Sequence, residues 1–169
     1  TLTYNVQDNQ HGAANITVTV TDSEGVKDSV TFAFTVNPIA DIPNISDATT
    51  NEDVMSSSGL VIRRNAVDGV EVTHVKITNL TNGILYQAGL YQTDGITPIF
   101  DNAFISFTQD SIALKFDPVN DFNGIGFITI QASTDNTADG LGGDTVQATI
   151  IVKTVNDAPE ALNDTLSGD

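Results

Sequence analysis

The sequence contains no cysteine and no tryptophan, and basic residues are few. Without cysteine the chain forms no disulfide bond, so a protein exported to an oxidising compartment would need another means of stabilisation. Six Lys and Arg stand against 22 Asp and Glu, which gives a formal net charge of −16. This charge repels nucleic acids and anionic lipid surfaces, and it favours cations as partners. We therefore expect no nucleic-acid partner, and we consider either a merely acidic, halotolerant surface or a cation site.

Long apolar runs are also missing. No segment approaches the roughly 18 apolar residues that a membrane-spanning helix needs, and no signal-peptide pattern is present. We therefore expect no direct membrane insertion, with any targeting signal lying outside these 169 residues. A hydrophobic fraction of 40% over this length is enough to bury one full core and part of a second.

An internal repeat organises the chain. Most of the first 43 residues recur, first 112 and then 116 positions later, with a four-residue insertion in a loop. A repeat of this length indicates tandem domains with separate cores rather than the 20–50-residue units of a solenoid. We interpret residues 1–43 as the C-terminal part of one domain with its linker, 44–159 as a complete domain, and 160–169 as a linker or the start of another. The matching positions include Gly12 with Gly124, Ile16 with Ile128, Val36 with Val152 and Asp41 with Asp157.

Alternating apolar and polar residues predict β-strands along the whole chain, and no 12-residue window favours a helix. Strands at 16–20 and 30–36 form a predicted hairpin around the loop 22–25, and their counterparts lie at 127–133 and 145–152. About seven short strands in the complete domain predict a seven-stranded antiparallel immunoglobulin-like β-sandwich, preceded by a partial copy. The further predicted strands lie at 54–55, 60–62, 72–78, 84–86, 104–107 and 112–116.

One long segment carries a family resemblance. Residues 116–159, "FDPVNDFNGIGFITIQASTDNTADGLGGDTVQATIIVKTVNDAP", resemble the last half of the cadherin-like repeats of large bacterial surface proteins and RTX-like adhesins. The "DFNG" before a strand and the terminal "VNDAP" are the most specific parts, and "NED" at 51–53 and "AVDG" at 66–69 fit as well. The first copy departs from this pattern, with "QHG" in place of "FNG" and "NPIADIP" at its linker. The resemblance implies a cadherin-like β-sandwich, calcium at the junctions between domains, and a location outside or on the surface of a bacterial cell.

Acidic loop residues should collect at the two ends of the predicted sandwich. In an up-and-down series of seven strands, successive loops lie at alternate ends, so order along the chain assigns each residue to an end. Ca²⁺ takes six to eight oxygen ligands, whereas zinc prefers nitrogen and sulfur and magnesium retains water. We therefore predict Ca²⁺ at one end or both, with stronger binding at the upstream end. The upstream group is Asp41, Asp68, Asp135 and Asp139, and the downstream group is Glu52, Asp117, Asp121, Asn156 and Asp157.

Catalytic signals are weak. The two histidines, His11 and His74, have no nearby nucleophile motif such as G-x-S-x-G, and the paired carboxylates belong to predicted interdomain loops. Asp135 begins a segment that resembles an EF-hand loop, but Val146 occupies the position where a bidentate Glu is needed. We therefore predict no enzyme activity and no catalytic residue.

The prediction for function is a calcium-binding spacer repeat of a large bacterial cell-surface adhesin, which supports adhesion or biofilm formation. The alternative is a ligand-binding module for carbohydrate or for homophilic contact between cells. Neighbouring repeats of the same chain are the expected partners. The hairpin at 16–36 has an apolar face with no cover of its own, so it predicts an additional upstream segment, a homodimer, or a permuted domain that takes the hairpin into its own sheet.

Overall fold

The computed structural model describes residues 3–80 and 89–159, and this part of the chain is all-β. It contains no α-helix and only one 3-10 turn, at Ala138–Gly140. Nor does any helix in these two ranges have the length and apolar character to cross a membrane. The strands are β1 Gly12–Thr21, β2 Lys27–Val36, β3 Asn44–Ile45, β4 Ala48–Asn51, β5 Val61–Arg63, β6 His74–Thr78, β7 Gly89–Tyr91, β8 Pro98–Ile99, β9 Phe104–Ser106, β10 Ser111–Ala113, β11 Lys115–Asp117, β12 Gly124–Ser133 and β13 Val146–Lys153.

Three sheets contribute to the large hydrophobic core downstream of residue 43. The largest has five strands in the order β4-β13-β12-β6-β9, in which β4 runs parallel to β13 and the other pairs are antiparallel. The two smaller sheets have the orders β10-β5-β3 and β11-β7-β8. Apolar side chains from all three sheets belong to the same core cluster, an arrangement that is compatible with a β-sandwich.

Period-two alternation explains how the longest strands bury one face. On β12 the side chains of Ile128 and Ile130 are fully buried, whereas Phe127, the residue before Ile128, lies on the opposite face and is 39% exposed. On β13 the side chain of Ile150 is buried in the same way, and the next residue, Ile151, is exposed. Successive side chains of a strand point to opposite faces of its sheet, so every second residue faces the core.

The hairpin of β1 and β2 forms a sheet of its own. Its antiparallel register runs from Gly12 opposite Val36 to Thr21 opposite Lys27. The carboxylate of Asp22 closes the loop by accepting hydrogen bonds from two backbone N–H groups. Within the described residues the hairpin pairs with no other strand, so the structure does not place it in the sheet of the downstream domain as the permuted alternative would.

The sequence predicted most of the long strands and missed several short ones. The predicted count of seven is not confirmed, because the described residues after 43 form eleven strands, and 112–116 divides into β10 and β11. The predicted strand at 54–55 is wrong: these residues lie in a turn after β4, where Asp53 has a φ of 60° and the hydroxyl of Thr50 donates to the carbonyl of Val54 at 2.6 Å. The predicted strand at 84–86 lies outside the described residues.

Candidate metal site

Three carboxylates meet at the downstream end of the domain. Asp53 follows β4, Asp121 lies in the loop between β11 and β12, and Asp157 follows β13. The parallel pairing of β4 with β13 brings the first and last of these segments together, because the C-terminal ends of both strands lie at the same edge. One carboxylate oxygen from each residue lies within 4.8 Å of the others, and the described residues contain no other such group of three. We call Asp53, Asp121 and Asp157 the downstream triad.

Glu52 links the three segments through hydrogen bonds. Its side chain is only 4% exposed. One carboxylate oxygen accepts a hydrogen bond from the backbone N–H of Val155 at 2.6 Å, and the other accepts one from the side-chain amide of Asn123 at 3.4 Å. Its backbone N–H donates to the carbonyl of Lys153 at 2.9 Å. Glu52 therefore fixes the linker after β13 against both β4 and the loop that carries Asp121.

The backbone of the triad takes an uncommon conformation. Asp53 and Asp121 have φ values of 60° and 59°, in the left-handed region that Asp and Asn tolerate better than most residues. The backbone N–H of Asp121 donates to a carboxylate oxygen of Asp53 at 2.9 Å, which joins the two loops directly. Local backbone geometry thus holds both carboxylates at the same end of the domain.

The electrostatics of the triad are unfavourable without a cation. Partial removal from water raises the pKa of Asp157, and the negative charges of Asp121, Glu52 and Asp53 raise it further. Carboxylate oxygens are the hard ligands that Ca²⁺ prefers, and two ligands on opposite sides of the ion are about 4.8 Å apart at the usual bond lengths. One oxygen from each carboxylate of the triad lies within this distance of the others, so the three can contact one ion together. The triad therefore offers a metal ion three carboxylate ligands.

Asp41 and Asp68 are brought together at the upstream end of the domain. The carboxylate of Asp68 accepts the backbone N–H of Asp41 through both oxygens, at 3.2 and 3.1 Å. Burial raises the pKa of Asp68 most, and the charges of Asp41 and Glu71 add to this increase while the hydrogen bond opposes it. The linker packs tightly here, because a Cβ at Gly143 would lie 2.6 Å from the backbone nitrogen of Ile42.

Asp135 and Asp139 lie in the loop between β12 and β13, next to the upstream linker. Asp135 accepts two hydrogen bonds from Thr137, one from its backbone N–H and one from its hydroxyl, each at 2.7 Å. These bonds, with the hydroxyl contributing most, lower the pKa of Asp135. Its charge is thus stabilised within its own loop. The four predicted upstream carboxylates do not include three whose oxygens approach within 4.8 Å in the part of the chain that the structure describes.

The downstream set predicted from sequence contains two members of the triad, Asp121 and Asp157. Glu52 lies beside them, and Asn156 is adjacent in the chain, with its side-chain amide donating to the carbonyl of Asp157 at 3.2 Å. Asp117 is half-buried at the end of β11 and is not part of the group. Sequence reasoning missed Asp53, although the "NED" motif includes it, because β4 was not recognised as the strand that delivers it.

The histidines occupy different environments. Nδ1 of His74 lies 2.7 Å from the hydroxyl of Thr73, which in turn donates to the carbonyl of Thr134. His11 lies in the segment before β1, with Nδ1 3.8 Å from a carboxylate oxygen of Glu71.

No protein-family model and no curated protein sequence matches the chain. Its function therefore has to be inferred from the residues and their geometry.

Proposed function

We propose that the chain is a calcium-binding spacer from a large bacterial cell-surface adhesin, in which a cadherin-like, immunoglobulin-like β-sandwich is repeated in tandem. Such a spacer would hold an adhesive region away from the cell and support adhesion or biofilm formation. It has no enzymatic role in this proposal, and its partners are the neighbouring repeats of the same polypeptide.

The downstream triad is the observation that carries the proposal. Its carboxylates come from three segments that are distant in sequence, and one of them, Asp157, lies in the linker that leaves the domain. A cation bound to all three would join that linker to the body of the domain. A flexible connection would then become a stiffer one, and a net charge of −16 would be partly neutralised.

Isothermal titration of the 169-residue chain with CaCl₂, after treatment with chelator, tests calcium binding directly. We expect binding heat and a higher melting temperature in calcium, because a ligand that binds only the folded state stabilises it. Extracellular calcium modules have dissociation constants of about 10⁻⁴–10⁻³ M, so 10 mM calcium should add about 1.4–2.7 kcal/mol to the free energy of unfolding.

Variants then locate the site. Asp53→Asn and Asp121→Asn should each reduce the calcium-dependent increase in melting temperature. The matched control is Glu24→Gln, which removes one negative charge from the exposed loop between β1 and β2. Asp68→Asn tests the predicted upstream group in the same way. Identical melting curves in calcium and in chelator would contradict the proposal, as would equal losses in Glu24→Gln and the triad variants.

A further inference from the structure

The apolar face of the β1–β2 hairpin is an unpartnered surface. The antiparallel register places even-numbered residues of both strands on one face, where Val18 lies opposite Val30 and Ile16 opposite Phe32. Val18 is 39% exposed, Phe32 is 40% exposed and Val30 is 63% exposed. The other face is polar, and the hydroxyls of Thr17 and Thr31 form a hydrogen bond on it at 2.7 Å. The hairpin therefore has the one-sided pattern of a sheet whose apolar face is covered.

The downstream copy of the same hairpin shows what covers such a face. By the internal repeat, Ile16 and Val18 correspond to Ile128 and Ile130, both fully buried. Strand β6 pairs with the outer edge of β12, and β4 pairs in parallel with the outer edge of β13. Side chains from β3, β5, β10 and β11 pack in the core that covers the face. In the described residues, β1 and β2 have no counterpart of β3, β4, β5, β6 or β10.

A contact at the start of the chain already reproduces part of that arrangement. The rings of Tyr4 and Phe34 meet edge to face, with centroids 4.2 Å apart. Their repeat counterparts are Phe116 on β11 and Ile150 on β13, and both belong to the downstream core cluster. The segment that leads into the hairpin therefore occupies the place of β11, and strands joined just before it would be positioned over the apolar face.

The unpaired strand edges argue against a second copy of the hairpin as the cover. Packing two hairpins face to face would leave the outer edges of β1 and β2 unpaired, which favours further association. A sandwich half with the strands of the downstream domain would cover the face and pair with both edges.

We propose that the apolar face and outer edges of β1 and β2 are the docking surface for a sandwich half equivalent to β3–β10, joined to the same polypeptide directly before Leu2. The counterpart of β4 pairs in parallel with β2 near Phe34, and the counterpart of β6 pairs with β1 from Thr17 to Thr21. This proposal does not depend on calcium. It concerns the first core, whereas the proposed metal site belongs to the second.

A fusion tests this proposal. Residues 44–113 are duplicated and placed directly before Leu2, because Ala113 precedes Leu114, the repeat counterpart of Leu2. Hydrogen exchange with mass spectrometry then compares the amides of β1 and β2 in the fusion and in the 169-residue chain. We expect exchange in the fusion to be slower by about 100-fold or more, since amides in a closed core open only with large-scale unfolding. The fusion should also sediment as a monomer.

The matched control carries Ile62→Asp in the duplicated segment only. Ile62 is fully buried on β5, so this fusion cannot form the covering sheet and its hairpin should exchange as fast as in the 169-residue chain. A second fusion that begins at Ala40 guards against a poorly chosen starting residue. Unchanged hairpin exchange in both fusions would overturn the proposal. So would a 169-residue chain whose hairpin is already protected, either in a dimer, where a second copy is the cover, or in a monomer.

Discussion

Variants at Glu52 test two properties of the downstream end of the domain. One is its stability without calcium, and the other is the stability that it gains when calcium binds. The side chain is 4% exposed and accepts hydrogen bonds from Val155 and Asn123. A hydrogen bond to a charged group contributes about 1.5–3 kcal/mol net. Glu52→Ala loses these bonds, but it also removes one of the charges that repel Asp157. We therefore expect a loss of about 1–2 kcal/mol in chelator, below the full value of the bonds.

Glu52→Gln keeps an acceptor oxygen for Val155, but it removes the charge and the second acceptor oxygen that Asn123 contacts. In chelator this variant should lose less stability than Glu52→Ala, because it keeps the hydrogen bond from Val155 and a similar side-chain volume. In 10 mM calcium both Glu52 variants should gain less stability than the parent. Glu52→Ala should lose more of the gain, because the segments that carry the downstream triad are no longer tied together.

Urea unfolding with and without calcium, followed by far-UV circular dichroism, measures all three chains. Glu24→Ala provides the control, since Glu24 lies in the exposed hairpin loop. A result in which Glu52→Ala matches Glu24→Ala in chelator would refute the structural role assigned to Glu52. A result in which both Glu52 variants keep the full calcium gain would refute its role in the metal site.

Three further predictions concern the core, pH and catalysis. Phe116→Ala should lower the free energy of unfolding by about 3–5 kcal/mol, because Phe116 is 1% exposed, whereas the same change at Phe127, which is 39% exposed, should cost clearly less in the same urea experiment. The raised pKa of Asp68 gives a stabilising contribution that is present below its ordinary value of 3.8 and is lost as pH rises through the raised value. Asp68→Asn should therefore flatten the pH dependence of the melting temperature just above pH 3.8 in chelator, and an unchanged slope would contradict this assignment. Assays on peptides, esters and polysaccharides should give no turnover, and turnover that disappears in His74→Ala would overturn the non-enzymatic proposal.

The sequence was most informative where periodicity was long. Strands β12 and β13 and the β1–β2 hairpin were predicted because alternation over five or more residues distinguishes a half-buried strand from other structures. The three-residue strands β5 and β9 were predicted at 60–62 and 104–107, whereas the two-residue strands β3 and β8 carry too little alternation to be recognised. They form because tertiary packing supplies a pairing partner, which no local pattern records.

The site was partly predictable for a related reason. The sequence analysis assigned loops to alternate ends of the domain by their order along the chain, and it thereby placed Asp121 and Asp157 at the same end. The structure brings these two residues together with Asp53. That reasoning did not identify β4 as a strand parallel to β13, so Asp53 was left out of the predicted set. At the upstream end, Asp135 directs its carboxylate to Thr137 in its own loop. A local hydrogen bond of this kind competes with a distant ligand, and order along the chain cannot reveal it.

The parallel pairing of β4 with β13 also determines how the domain would carry tension. Along the chain, only the two-residue strand β3 separates the upstream linker from β4, and β13 lies just before the downstream linker. Both β4 and β13 run toward the same edge. A force that pulls the two linkers apart draws β4 and β13 in opposite directions along their shared axis. The hydrogen bonds from Ala48 opposite Ile150 to Asn51 opposite Lys153 are then loaded together, in shear, instead of being opened one at a time. We expect a domain with this geometry to resist extension until the whole ladder fails at once.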